Sequence, residues 1–497
     1  MSEIETQLQV SEVGIFKRYG LFIATILMLI IWFLPSFAGV PVVGQRAIGI
    51  LVFAIIVWAS ECMSYPVSAF VILALIAFGC GLAPAVDNPE KLYGTSNALK
   101  LGLSGFASPA WALVMAALFL AAAMMITRLD KRIALWVMSL VGTKSKNMVI
   151  GAILIGAILS FFVPSTTARV SCVVPIVLGM ISAFGVKQGS KFAAVMMIAV
   201  AQADSLWNVG VKTAAAQNQV ALGFIDKMLG TTISWLDWLI AAAPYAIVMS
   251  VVLYFIIIKI IPPEIDEVPG GRDTIAKMQA EMGKISSNEI KLLVVSFLLL
   301  FFWATEKKLH PFDTNSVTLA GIAYLFLPKL GVMSWNDAVG RINWGTILLF
   351  GVGIGLGTTL LKTDAAAYLG NQIVDIFGIK SMSALMIIAV FGAFLIFVHL
   401  GFASATALAS AMIPIVISVL QSVETTGINV LGMTMILQFV VCFGFILPVN
   451  APQNMIAFST GFFTVRQFVI TGIPLTIAAY LLILLFSATY WHWLGLC

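Results

Sequence analysis

Ser165, Thr166 and Thr167 stand together in the middle of a long apolar stretch, and Arg169 follows one helical turn after Ser165. Hydroxyl groups donate and accept hydrogen bonds without carrying charge, and a guanidinium is a permanent cation. Together they suit the holding of an oxygen-bearing anion such as a carboxylate. The pattern returns far downstream as Ser404, Ala405 and Thr406, with His399 five residues before it. Residues 165–177 and 404–416 agree at seven of thirteen positions, an offset of 239. A second echo, Ala215-Ala216-Gln217-Asn218 against Ala451-Pro452-Gln453-Asn454, lies at an offset of 236. Asn218 and Asn454 add amide donors. Polar patches recurring at nearly one spacing point to a structure duplicated in two halves, whose copies form two walls of one binding site. Singly, a Ser or Thr in an apolar helix also serves helix–helix packing.

The same residues do not assemble a catalytic centre. The only histidines are His310, His399 and His492, so HExxH is absent, and no GxSxG is present. The five cysteines form no CxxC pair and read as small core hydrophobes. No cofactor or metal motif emerges, and an enzyme is not expected. The net charge of +5 is small for 497 residues and belongs to loop topology, not to a nucleic-acid partner.

The elements that position these residues must lie in a bilayer. The chain is 61% hydrophobic and 10% charged, too few charges to cover a water-facing surface, where about 25% is usual. Apolar runs of about twenty residues predict membrane-spanning helices, and no run alternates as a membrane β-strand would. Residues 1–18 form a polar cytoplasmic tail without the features of a signal peptide. The first helix and the first repeat occupy 19–262. The charged segment 263–289 is the cytoplasmic linker, and the second repeat fills 290–497. A polar loop is expected over 84–104.

Two runs are too long for one span. Residues 147–184 would make a helix about 57 Å long, nearly twice the hydrocarbon thickness. The run must fold back, and Pro164-Ser165-Thr166-Thr167 is the place to turn. Lys144 and Lys146 precede it and Lys187 and Lys191 follow it, so both ends are expected in the cytoplasm. The run 381–420 is similar, turns near Ser404, and has Lys380 before it and Glu424 after it, which suggests entry from outside. Each reads as a re-entrant hairpin with its polar tip near mid-membrane. Polar interruptions near Gly210 and near Pro452 predict two broken helices lining a cavity. The fold class expected is an all-α polytopic membrane protein, an inverted-topology repeat of about 11 transmembrane helices with two re-entrant hairpins.

In this order the motifs resemble those of the divalent anion/sodium symporter family of dicarboxylate and citrate carriers, over nearly the whole chain. In that family a Ser-Asn-Thr motif lies at the tip of each of two opposed hairpins, and Thr-Pro-Pro-like breaks in two further helices complete the site. The matching positions are Ser165-Thr166-Thr167, Ser404-Ala405-Thr406, and the breaks 210–218 and 449–454. The resemblance therefore implies substrate contacts from these six tip residues and from Gly210, Asn218, Pro452 and Asn454. It also implies a homodimer and an elevator-type movement of a transport domain against a scaffold.

The chain departs from the pattern where sodium-coupled members help hold Na⁺, with Thr166 and Ala405 in place of Asn. Arg169 instead resembles the Ser-Asn-Thr-Ala-Arg pattern of the sodium-independent exchanger branch. The resemblance thus implies a multi-pass carrier of a bacterial inner or plasma membrane, exchanging dicarboxylates such as succinate, malate, fumarate or 2-oxoglutarate. The alternative is a sodium-coupled di- or tricarboxylate symporter. A charge near mid-membrane is rarely idle. Arg169 and His399 are expected to supply fixed positive charge in place of sodium. The competing arrangement is structural: Arg169 paired with Asp204, and His399 bonded to a backbone carbonyl. Asp204 and Lys212, eight residues apart across a helix break, are expected to pair with each other.

Overall fold

A computed structural model of the chain describes residues 3–85, 88–183, 189–267, 270–423 and 428–497. Residue 184, Lys187 and Glu424 lie outside the described residues. The first part of the chain forms α1 (Glu3–Phe33), α2 (Val42–Ser60), α3 (Tyr65–Ala74), α4 (Thr95–Leu103), α5 (Pro109–Thr127) and α6 (Leu129–Val141). The first hairpin is α7 (Ser145–Phe162) and α8 (Thr166–Ala183), followed by the broken pair α9 (Lys191–Gly210) and α10 (Ala216–Leu229), then α11 (Trp235–Ile260). The linker carries α12 (Gly271–Glu281). After it come α13 (Ser287–Ala304), α14 (Thr314–Phe326), the short α15 (Trp335–Val339), α16 (Trp344–Lys362) and α17 (Ala365–Phe377). The second hairpin is α18 (Ala384–His399) and α19 (Ala405–Gln421). The second broken pair is α20 (Val430–Val441) and α21 (Pro452–Phe458), and α22 (Val465–Ala488) and α23 (Tyr490–Trp493) end the chain.

Eight helices among the described residues are long and apolar enough to cross a bilayer. Their lipid-facing stripes are visible as exposed apolar side chains at helical spacing, Val294, Phe297 and Phe301 on α13 and Ile473, Ile477, Leu481 and Leu485 on α22. With 16 and 17 residues, α18 and α19 reach only about 24–26 Å each, short of a roughly 30 Å hydrocarbon layer. The second over-long run is therefore broken over 400–404 into two helices, each short of a full span.

At the core stands α9, buried at every residue from Phe192 to Gly210. Its first turn is tied to the linker end, where the Phe192 amide donates to the Glu264 carboxylate at 2.8 Å. The first hairpin starts at the same end, its Ser145 amide donating to the Asp266 carbonyl at 3.0 Å. The second hairpin finishes at the other end, where the Gln421 amide donates to the Met228 carbonyl at 3.4 Å, near the end of α10. The first hairpin thus starts beside the beginning of α9, the second ends beside the end of α10, and residues of both tips lie with Asn208, Ala216 and Gln217 of the break around one cavity.

Three segments are more ordered than their sequences suggest. The polar N-terminal tail is helical from Glu3, since no proline stops α1 from extending upstream. The loop expected over 84–104 contains α4, which buries Ala98 and Gly102. Its backbone closes on α16, where a Cβ at Gly355 would lie 1.8 Å from the Gly102 carbonyl oxygen. The linker also carries a helix, with Ile275 buried. It is anchored by Arg132, which meets Glu289 at 2.5 Å and donates to the Gly283 carbonyl at 3.1 Å.

Candidate functional site

Each hairpin tip is built by a serine. Ser165 ends the turn after α7, and its hydroxyl oxygen accepts from the Ala168 amide at 3.3 Å, capping α8. Ser404 does the same for α19, accepting from the Ala407 amide at 3.3 Å. The two contacts are related by the offset of 239, as are Pro175 and Pro414 inside the two helices. A capping hydroxyl uses a lone pair and keeps its proton free to donate.

The breaks are pinned by a matched pair of amides. The Asn218 side chain donates to the Asn208 carbonyl at 2.7 Å, and the Asn454 side chain donates to the Gly444 carbonyl at 2.7 Å. Both reach ten residues back, and donors and acceptors alike are related by the offset of 236. A helix that stops inside a bundle leaves carbonyls without partners, and these amides supply them.

Tips and breaks converge on one cavity of about 260 Å³, lined by Ser165, Thr166 and Thr167 from one hairpin, by Ser404, Ala405 and Thr406 from the other, and by Pro452. These seven lie where the sequence predicts a shared wall. Asn218, Asn454 and Gly210 do not line it. Both asparagines are 0% exposed and are spent on the carbonyls, while Gly210 packs under the Trp207 ring, where a Cβ would lie 2.8 Å away. The residues one position earlier, Gln217 and Gln453, face the cavity instead, because one step along a helix turns the side chain by about 100°. Their identity in both echoes was the available signal. Asn208 also lines the wall, with Tyr65, Arg341, Asn343 and Thr346 from elements outside the hairpins.

Arg169 does not reach the cavity. It is fully buried and meets Asp204 Oδ1 at 2.6 Å, so the ion pair with Asp204 is the arrangement adopted. Its Nη1 donates to the Val163 carbonyl at 2.8 Å and the Ala214 carbonyl at 2.9 Å, and its Nη2 donates to Asn208 Oδ1 at 2.8 Å. The Thr166 hydroxyl donates to the same Asn208 oxygen at 2.7 Å. Thr167 and Thr406 have no such commitment of their hydroxyls among the described contacts. The second tip repeats the arrangement with a different side chain. Asn450 donates to the carbonyls of His399 at 2.9 Å, Leu400 at 3.3 Å and Phe402 at 3.3 Å. The Phe402 carbonyl stands where Val163 stands in the first hairpin. His399 is buried against the Asn450 carbonyl, with Nε2 at 3.3 Å, and likewise lies behind the wall. The expectation of an uncompensated charge facing the cavity is therefore corrected for both residues: Asp204 cancels Arg169, and backbone holds His399. Asp204 and Lys212 do not pair. Lys212 Nζ donates to the Ile233 carbonyl at 2.7 Å, because the break sends the backbone after Gly210 away from α9.

Among the described residues no group of three or more His, Cys, Asp or Glu side chains is placed to hold a metal ion. The cavity is a polar, mostly uncharged pocket between the two hairpin tips in a bundle of apolar helices. The chain belongs to the divalent anion/sodium symporter family: the family model for the sodium:sulfate symporter transmembrane region matches residues 16–497. It is a multi-pass membrane transporter, and its bacterial relatives put it in a bacterial inner membrane. A protein of Cupriavidus necator described as a membrane protein is 52% identical over 478 residues, covering 96% of this chain and 93% of that one. A sodium-dependent dicarboxylate transporter of Staphylococcus saprophyticus is 28% identical, covering 88% of this chain and 85% of that one. A putative malate transporter of Bacillus subtilis is 26% identical, covering 71% and 72%. The crystal structure of the Alcanivorax borkumensis YdaH transporter shares the fold, with a TM-score of 0.53 at 12% identity, over 85% of this chain and 98% of that one.

Proposed function

We propose that this protein exchanges dicarboxylates across the membrane without sodium, as an inverted repeat whose hairpin bundle moves against a scaffold. The substrate class draws support from the cavity. Ser165, Thr167 and Thr406 bring hydroxyl groups to a cavity of 260 Å³, room for a small organic acid. Hydrogen bonds to a charged partner contribute about 1.5–3 kcal/mol each, so three of them favour a carboxylate over a neutral solute. Relatives named as dicarboxylate and malate transporters support the same class.

The observation that supports sodium independence is that carbonyls at the tips and at the first break already accept from protein side chains. Sodium-coupled members of the family hold Na⁺ partly with backbone carbonyls at the tips. Here the Val163 and Ala214 carbonyls already accept from Arg169, and the His399, Leu400 and Phe402 carbonyls already accept from Asn450. A sodium ion would have to displace a guanidinium locked to Asp204. Exchange itself rests on the Ser-Thr-Thr-Ala-Arg pattern and its likeness to the exchanger branch, since Asp204 removes the net charge that would otherwise oppose return of an empty carrier. The basic ends of the first hairpin support a cytoplasmic linker face, and the resemblance supports a homodimer. The second reading, sodium-coupled symport, is favoured by the names of the staphylococcal relatives.

Counterflow tests the substrate class. Proteoliposomes loaded with succinate should accumulate labelled succinate, and external malate, fumarate or 2-oxoglutarate should compete. Competition by sulfate alone, with none by these acids, would reject a dicarboxylate carrier.

A further inference from the structure

We propose that Arg341 is the cation that receives the second carboxylate of the substrate at the linker-side mouth of the cavity, and that it acts from that face only. The assignment rests on the dicarboxylate reading above. The hairpin tips present uncharged donors, enough for one carboxylate, and a dicarboxylate brings a second charge that these hydroxyls do not neutralise. Of the described residues lining the cavity, Arg341 is the only charged one. It comes from the turn between α15 and α16, outside both hairpins and both broken helices. Its side chain is exposed, so the guanidinium stands at the edge of water at low desolvation cost.

Local chemistry leaves the charge available. Arg341 Nε donates to the Asp337 carbonyl at 3.2 Å, which fixes the stem and leaves the two terminal nitrogens, the fork that matches a carboxylate, without a described partner. The neighbouring carboxylate of Asp337 accepts from the Ser334 hydroxyl at 2.6 Å and the Ser334 amide at 3.2 Å, and it acts on Arg341 through space without a described ion pair. Two further donors stand beside Arg341 on the same wall. Asn343 accepts the Thr346 amide through Oδ1 at 3.2 Å, its NH₂ group has no partner among the described residues, and Thr346 lines the cavity as well.

Position makes the role one-sided. The α13 start lies beside the turn after α14, with Lys291 Nζ donating to the Lys329 carbonyl at 3.5 Å, so α15 and Arg341 sit at the linker end. A substrate entering from that end meets Arg341 before or together with the tips. A substrate entering from the opposite face binds the tips without it. Arg341 therefore sets affinity and charge discrimination at one face, and an exposed cation attracting a dianion makes capture there sensitive to salt.

The test uses the full-length protein in proteoliposomes of defined orientation, with labelled succinate offered to each face in turn. For Arg341→Gln we expect KM at the linker face to rise about tenfold or more, against a clearly smaller change in KM at the opposite face. Arg341→Lys should keep most of the affinity. Monomethyl succinate, with one charge, should compete against succinate far better in Arg341→Gln than in the unmodified protein. Asn343→Asp, which preserves the α16 cap while adding a negative charge, provides an independent variant and should raise KM at the linker face alone. An unchanged linker-face KM in either variant, or an equal rise at both faces, would overturn the assignment. An unmodified protein that moves no dicarboxylate from either face would overturn the reading beneath it.

Discussion

At the scale of single residues, the site depends on which side chains are committed elsewhere. Thr166 is spent on Asn208, so Thr166→Val should loosen the Arg169 network more than it weakens substrate binding. The hydroxyl protons of Ser165, Thr167 and Thr406 are not spent in the described hydrogen bonds, whereas Ser404 meets Tyr65. Thr167→Val and Thr406→Val should each raise the dissociation constant for succinate about tenfold or more, with little change in thermal stability. Calorimetric titration of the purified protein checks this, and an unchanged affinity in both would remove the tips from the binding site. Arg169 obeys a different rule. Arg169→Gln strands Asp204 as a buried, unpaired carboxylate, at roughly 3–5 kcal/mol. The double variant Arg169→Gln with Asp204→Asn should recover most of the unfolding temperature that the single variant loses. A single variant as stable as the parent would contradict the buried pair.

At the scale of elements, the polar breaks and the close helix crossing decide stability. In an exposed helix, alanine for glycine is worth up to about 1 kcal/mol of stabilisation. Gly355→Ala should reverse that sign, because its Cβ would meet the Gly102 carbonyl at 1.8 Å and α4 would have to part from α16. Thermal unfolding in detergent reads the sign directly, and a stabilised Gly355→Ala would contradict the crossing. This crossing was not legible in the sequence, since α4 is nine residues long and gains order from packing on α16 and not from periodicity. The hairpins and broken helices were legible for the opposite reason. Polar tips inside runs too long for one span leave few other folds. The Asn/Gln register was missed by one residue. A motif names a neighbourhood, but which of two adjacent side chains faces the cavity depends on where α10 and α21 begin. The Asp204–Lys212 pair failed similarly, because helical spacing does not continue across a break. Arg341, Asn343 and Tyr65 could not be found from motifs at all: contact with the hairpin tips is made by tertiary packing of α16 and α3.

For the whole molecule, the cavity lining includes the exposed Arg341 and Asn343, which are assigned above to the linker end. A single cysteine at Ala405 in a cysteine-free background should react with an impermeant maleimide from the linker face and be shielded by succinate. Labelling only from the opposite face would reverse the orientation of the cavity. The central claim is that the protein's own side chains occupy the oxygen groups a sodium ion would need, so that exchange proceeds without it. The direct measurement is uptake of labelled succinate into succinate-loaded proteoliposomes, with Na⁺ varied against choline at constant ionic strength. The account predicts equal rates with and without Na⁺ and little uptake into empty vesicles. Uptake into empty vesicles that rises with Na⁺ would contradict it.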